Sequence, residues 1–139
     1  MPGLDLADPL ARAVLARLAA DPGLRALVQG RVRDVVSARE TWPFLRLDPP
    51  ETAPFEAEGW TGCTCRLSVH AFARGERDGG AIRRLLAAAA AALDEADLAL
   101  ERGELLWLAH DRSLVLAEPQ GPASWHGVAR FTAVAALPR

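Results

Sequence analysis

The stretch GCTCRLSVH, residues 62–70, holds both cysteines of the chain, with His70 close behind them. Thiolates and imidazoles are the ligands of structural zinc, and paired cysteines also form redox centres. Either chemistry requires the groups to converge. The segment alternates apolar and polar residues as a strand does, so side chains two positions apart share a face. Cys63, Cys65, Leu67, Val69 and Ala71 then point one way, and Thr64, Arg66, Ser68, His70 and Phe72 the other. His70 lies opposite both thiols, and the chain has no further cysteine to complete four ligands. At a rise of about 3.3 Å per residue the two cysteines sit about 6.6 Å apart with parallel side chains, poor geometry for a disulfide. The expectation is two reduced cysteines acting as small apolar core residues, with no metal and no cofactor.

Other candidates for chemistry are few. The histidines are His70, His110 and His126, with Ser113 and Ser124 near the last two in sequence. A hydrolase needs a nucleophile, a base and an orienting group in one place, and no G-x-S-x-G elbow occurs. The turn RGERDGG could cradle an anion on free amides, but it lacks the phosphate-loop pattern and the chain contains no lysine. It reads as a strand-to-helix turn with Asp78 as a cap. No catalytic residue is assigned; a small enzyme using one of the histidines is the alternative from a different class.

The elements that must position these residues belong to one domain spanning 1–139, long enough to bury a core. Half of the residues are hydrophobic and 24% are charged, a globular balance. A net charge of −2 gives no global reason to expect a nucleic-acid or anionic-membrane binder. No apolar run approaches the roughly 20 residues of a membrane span, and the first residues lack the basic region of a signal peptide. The expectation is a soluble protein made in the cytosol. Lysine, tyrosine and asparagine are absent while alanine, arginine, glycine and proline abound. That bias reflects a GC-rich genome, so the abundance of arginine is not by itself a sign of phosphate recognition.

Asp8-Pro9 reads as a helix start, followed by Leu10, Val14, Leu15 and Leu18 at helical spacing. Asp21-Pro22 starts a second short helix that Gly30 ends. Residues 31–36 and 42–47 read as strands, with Pro43 at an edge or a strand start. Residues 48–60, DPPETAPFEAEGW, read as a long proline-rich loop carrying four acids and no basic residue. Residues 63–72 form the clearest strand. Ile82, Leu85, Leu86, Ala89 and Leu93 then make a helical stripe. Strands at 104–110, 113–118 and 124–135 follow, the last entered through a PQGP turn. This order predicts an α+β fold, an antiparallel sheet with the helices packed on one face and the acidic loop between its second and third strands.

The sheet faces carry the most information. In the closing strand Trp125, Ala129, Phe131, Ala133 and Ala135 make an apolar side, and His126, Val128, Arg130, Thr132 and Val134 a mixed one. The strand at 63–72 has the same two-sided composition. Helices on the apolar side would leave a semi-polar face either solvated or used between subunits, and Phe72, Val128 and Val134 are costly in plain solvent. Arg66, Ser68, His70, Phe72, His126, Val128 and Arg130 are therefore candidates for a subunit interface.

Taken in order, ALVQGRVRDVVSARETWPFLRL, RLSVHAFARGERDGGAIRRLLAAAAAAL and PASWHGVARFTAVA resemble a family of small phage tail-completion or tail-terminator proteins. The resemblance runs from about residue 8 to 135, and SWHGVARF is its most distinctive piece. It implies a structural, non-enzymatic role at the head-to-tail junction of a tailed phage or phage-like gene transfer agent. It implies a homo-oligomeric ring, usually hexameric, that caps the tail tube and meets the head-tail connector or stopper, with DNA in transit through the lumen. The implied location is the virion, assembled in the bacterial cytoplasm, with no membrane contact. A neighbouring neck component, a connector or head-closure protein, is the runner-up. The chain departs from the family pattern in its acidic 48–60 insertion and in Val35-Val36-Ser37, where relatives often carry proline.

The insertion is the candidate lumen or tail-tube contact. Asp48, Glu51, Glu56 and Glu58 repeated around a six-fold ring would place roughly −24 charges there, which would repel DNA phosphates and let a duplex slide. Alternatively Phe55 and Trp60 would anchor the loop on the tube or connector, as aromatic side chains do at interfaces.

Overall fold

The computed structural model describes residues 3–75, 78–117 and 124–139. Its elements are α1 (Ala7–Ala20), α2 (Pro22–Val28), β1 (Val32–Arg33), β2 (Phe44–Leu47), β3 (Glu51–Ala57), β4 (Trp60–Arg74), α3 (Gly80–Leu93), β5 (Glu104–Ala117) and β6 (Ser124–Pro138). The strands form one sheet in the order β1-β2-β4-β6-β5, with β3 also paired to β4. Only β1 and β2 run parallel; all other pairs are antiparallel, so the expected α+β class holds.

The spine of the sheet is the ladder between β4 and β6, unbroken from Trp60 opposite Pro138 to Arg74 opposite Ser124. Two close approaches show how tightly it is built. A Cβ on Gly62 would lie 2.1 Å from the Ala135 carbonyl oxygen, and one on Gly127 would lie 2.8 Å from Leu86 of α3. Only glycine fits either position without a shift.

All three helices pack on one side of this sheet. Leu10, Val14 and Leu18 of α1, Leu24 and Val28 of α2, and Ile82, Leu85, Leu86, Ala89 and Leu93 of α3 meet the alternate residues Cys63 to Ala73 of β4 and Ala129 to Ala135 of β6 in one core. The alanines of α3 let its axis come close to the strands, and larger leucines fill the flanks. Burial of a side chain such as Leu18 or Ile82 contributes about 1.5–3 kcal/mol.

The helix ends follow the expected chemistry with two shifts. Asp21 caps α2, its Oδ2 accepting the Leu24 amide at 3.0 Å, and Gln29 and Gly30 end that helix in left-handed conformations. Asp78 accepts the Gly80 amide at 3.0 Å but stands one position ahead of the N-cap of α3, which is Gly79 in a left-handed conformation. Helix α1 begins at Ala7, ahead of Asp8, because a 3-10 turn at Leu4–Leu6 feeds directly into it and drives Leu6 into the core.

Three expectations are corrected. The acidic segment is not a loop: Glu51–Ala57 is strand β3, paired with Trp60–Arg66, and the chain turns back within two residues. The Asp48 amide donates to the Ser68 carbonyl at 3.1 Å, so the backbone stays against β4 between β2 and β3. The sequence hid this strand because β3 is an edge, exposed on both sides along most of its length, and therefore shows no apolar alternation; an edge also tolerates Pro54. The two segments at 104–110 and 113–118 are one strand through Ala117, and the polar residues between them sit at a bulge rather than a turn. The strand expected over 31–36 shrinks to Val32–Arg33, after which Val35 is 80% exposed. The expected PQGP turn lies outside the described residues.

Candidate functional surface

The face of the sheet opposite the helices is where the chemically capable side chains gather. Strand register lays them out as rows: Phe44, Phe72 and His126 in one, then Arg46, His70 and Val128, then Ser68, Arg130 and Arg112, then Arg66 and Thr132.

The first row is a stack. Phe44 and Phe72 lie parallel with centroids 4.6 Å apart, and Phe72 and His126 lie parallel at 4.3 Å. Trp42 meets both phenylalanines edge-on at 5.8 and 5.6 Å, and the Arg74 guanidinium covers the Trp42 ring at 4.3 Å. Offset, edge-on and cation-covered contacts of this kind each add about 0.5–1.5 kcal/mol beyond burial.

The second row is a polar relay. Arg46 Nε donates to Asp48 Oδ1 at 2.9 Å, and His70 Nε2 donates to Asp48 Oδ2 at 2.9 Å. His70 Nδ1 and His126 Nε2 lie 2.8 Å apart. With His70 neutral and its proton on the Asp48 side, Nδ1 accepts and His126 Nε2–H donates, which fixes the tautomer of both rings. Burial lowers the pKa of His70; the Asp48 carboxylate opposes this and Arg46 and Arg130 reinforce it. Burial likewise lowers His126, with the neighbouring His70 and Arg46 adding to the effect. Both rings are held neutral.

Below the relay the same face opens into a groove of about 590 Å³. Arg66, Arg112 and Arg130 line it together with Ser68, Thr132, Asp48, Glu51 and Asp111.

Of the seven residues singled out for a subunit interface, His70, Phe72 and His126 are in direct contact, and Arg66, Ser68 and Arg130 line the groove. Val128 has no exposed surface and Val134 only 2%; the argument that these two valines are costly in solvent is corrected, because strand neighbours cover both. The acidic segment divides. Asp48 joins the relay and Glu51 the groove, while Phe55, Glu56, Glu58 and Trp60 stand at the far end of the β3–β4 hairpin. There Glu56 accepts the Thr61 hydroxyl at 2.7 Å and faces Arg139 at 3.5 Å. Sequence reading missed Trp42, Phe44, Arg46, Arg74 and Arg112. The alternation in Phe44-Leu45-Arg46-Leu47 carries enough signal to place Phe44 and Arg46 on this face.

The catalytic alternatives gain little from the geometry. Cys63 and Cys65 are buried free thiols with sulfurs 3.3 Å apart, on the core face away from His70. Burial raises both, Cys65 to about 12, so the thiolate that redox or metal chemistry needs is suppressed. Among the described residues no group of three or more His, Cys, Asp or Glu side chains could hold a metal ion. Ser113 does reach His110, at 2.8 Å from Nε2, but Asp94 accepts the His110 backbone amide rather than orienting the ring.

A one-sided core and an opposite face combining stacked aromatics with arginines define a small α+β sheet protein with one sheet face covered by helices and the other left open. The tail completion protein gp17 family matches residues 12–136, and the chain belongs to that family. Among solved structures, a chain from the virion of a native gene transfer agent particle superposes with a TM-score of 0.80 at 25% identity, over 92% of this chain and 95% of that one. No curated protein matches the sequence.

Proposed function

We propose that this protein is a structural component of a phage-like particle, placed at the junction between head and tail. It forms a homo-oligomeric ring that caps the tail tube and joins it to the connector or stopper, with DNA passing through the lumen. The ring assembles in the bacterial cytoplasm and remains in the particle. The observation that carries this reading is the near end-to-end superposition on a gene transfer agent virion chain, together with membership of the tail completion family. The sheet face supports it: Trp42, Phe72, His126 and the groove arginines form a surface that the helices leave uncovered and that a neighbouring subunit can use.

The test is electron microscopy of the purified protein, alone and mixed with its tail tube, beside mass measurement of the native assembly. Rings, or caps on tube ends, are the expected result. A protein that stays monomeric under both conditions, or one with a turnover abolished by His126→Ala, overturns the proposal.

A further inference from the structure

The groove on the second face sets three guanidiniums among three carboxylates without an ion pair between them. Arg112 of β5 lies directly opposite Arg130 of β6, and Arg66 lies one row along on β4. Like charges placed directly across a ladder destabilise it. None of the three makes a hydrogen bond or ion pair among the described residues, whereas the nearby Arg46 is fully engaged with Asp48. Of the carboxylates close by, Asp48 is engaged by Arg46 and His70, and Asp111 accepts the Thr132 hydroxyl at 2.6 Å while keeping its charge. Glu51 faces Arg66 across the β3–β4 ladder without reaching it. A GC-rich genome explains why these residues are arginine and not lysine, but not why three of them converge unpaired on one groove.

The tip of the β3–β4 hairpin carries the opposite charge, with Glu56 held there by the Thr61 hydroxyl and 3.5 Å from Arg139. Strand β3 pairs only with β4, and Glu56 and Glu58 at its turn end are exposed. Glu58 has no partner among the described residues. The hairpin cannot fold back into the groove of its own chain, because β3 is locked in register with β4 from Glu51 to Ala57.

We infer that the acidic tip of the β3–β4 hairpin of one subunit docks in the arginine groove of the next. This rests on the ring reading and names the contact that builds the ring. Groove and hairpin are different patches, so the contact is head-to-tail, the kind that generates a closed ring when its rotation closes. Guanidinium forks match carboxylates, and the Ser68 hydroxyl, which also lines the groove, can donate to them.

Charge reversal tests the pairing. Arg112→Glu with Arg130→Glu, and separately Glu56→Arg with Glu58→Arg, should each weaken assembly at least about 30-fold in apparent dissociation constant. Mixing the two variants should restore rings containing both. Thermal melts check that each variant folds, and the single exposed-site change Arg112→Ala should weaken assembly in the same direction. Wild-type rings that persist unchanged in all of these variants overturn the inference while leaving the ring reading intact. A wild-type protein that never assembles overturns both. Duplex DNA binding that is lost in Arg112→Glu/Arg130→Glu while the rings persist assigns the groove to phosphate instead.

Discussion

His70 and His126 share one hydrogen bond, which in the neutral pair runs from His126 Nε2–H to the bare Nδ1 of His70. Burial disfavours the charged form of both rings, and protonating His126 also sets a charge beside His70 and Arg46. Both folded-state pKa values therefore lie below the 6.5 of a free imidazole. The sign follows directly. The unfolded chain binds protons first as pH falls, so the stability these rings contribute is complete above about 6.5 and is lost as pH drops through the lower folded values. The melting temperature should be flat from about pH 8 to 7 and begin to fall as the pH drops below about 6.5, before most carboxylates titrate. His126→Phe keeps the stack on Phe72 and removes one titrating ring, so its fall over that window should be shallower. An identical pH profile in the variant would show that the pair is not the titrating element. The cysteines show the complementary point: their face could be read from a two-residue period alone, and buried thiols are what that period implied.

At the scale of elements, legibility tracked one-sided burial. Helix α3 and strand β4 each bury one side, so their periods of 3.6 and 2 were visible in Ile82, Leu85, Leu86 and Ala89 and in Cys63 to Ala71. Strand β3 buries neither side, and β5 interrupts its alternation with bulges near Leu105, His110 and Val115; both were therefore misread as loop or turn. The relay on the second face was half legible. His70, Phe72 and His126 follow from alternation within their own strands, but Asp48 joins them only because β2 runs on against β4, a long-range pairing that no local pattern encodes. The β4–β6 ladder offers the element-scale prediction. Gly62→Ala would press a methyl to 2.1 Å from the Ala135 carbonyl, where the neighbour is backbone and cannot swing away. A loss of about 3 kcal/mol or more in denaturant unfolding is expected. Gly59→Ala meets nothing within 4 Å and suffers only the left-handed backbone cost of about 1–2 kcal/mol. Equal losses at the two sites would mean that the ladder has room that the geometry denies.

For the whole molecule, what distinguishes the competing uses of the acidic hairpin is how assembly responds to salt. A hairpin that lines a lumen, with its carboxylates facing DNA, repels its own copies across the channel, so salt would screen that repulsion and stabilise the ring. A hairpin anchored by Phe55 or Trp60 in an apolar pocket would be indifferent to salt or strengthened by it. A hairpin whose Glu56 and Glu58 meet Arg112 and Arg130 of a neighbour responds the other way. The screening length shrinks from about 10 Å at 0.1 M salt to about 3 Å at 1 M, and the attraction that brings the two patches together shrinks with it. Native-mass or sedimentation measurements across that range should therefore show the ring giving way to smaller species as sodium chloride rises. Glu58→Gln, which removes one charge from each hairpin, should move the transition to lower salt. The aromatic row at Trp42, Phe44 and Phe72 is unaffected by that change and lies in the same chain as an internal control. Rings that hold or tighten at high salt would return the hairpin to the lumen or the tube and leave the three arginines without their partner.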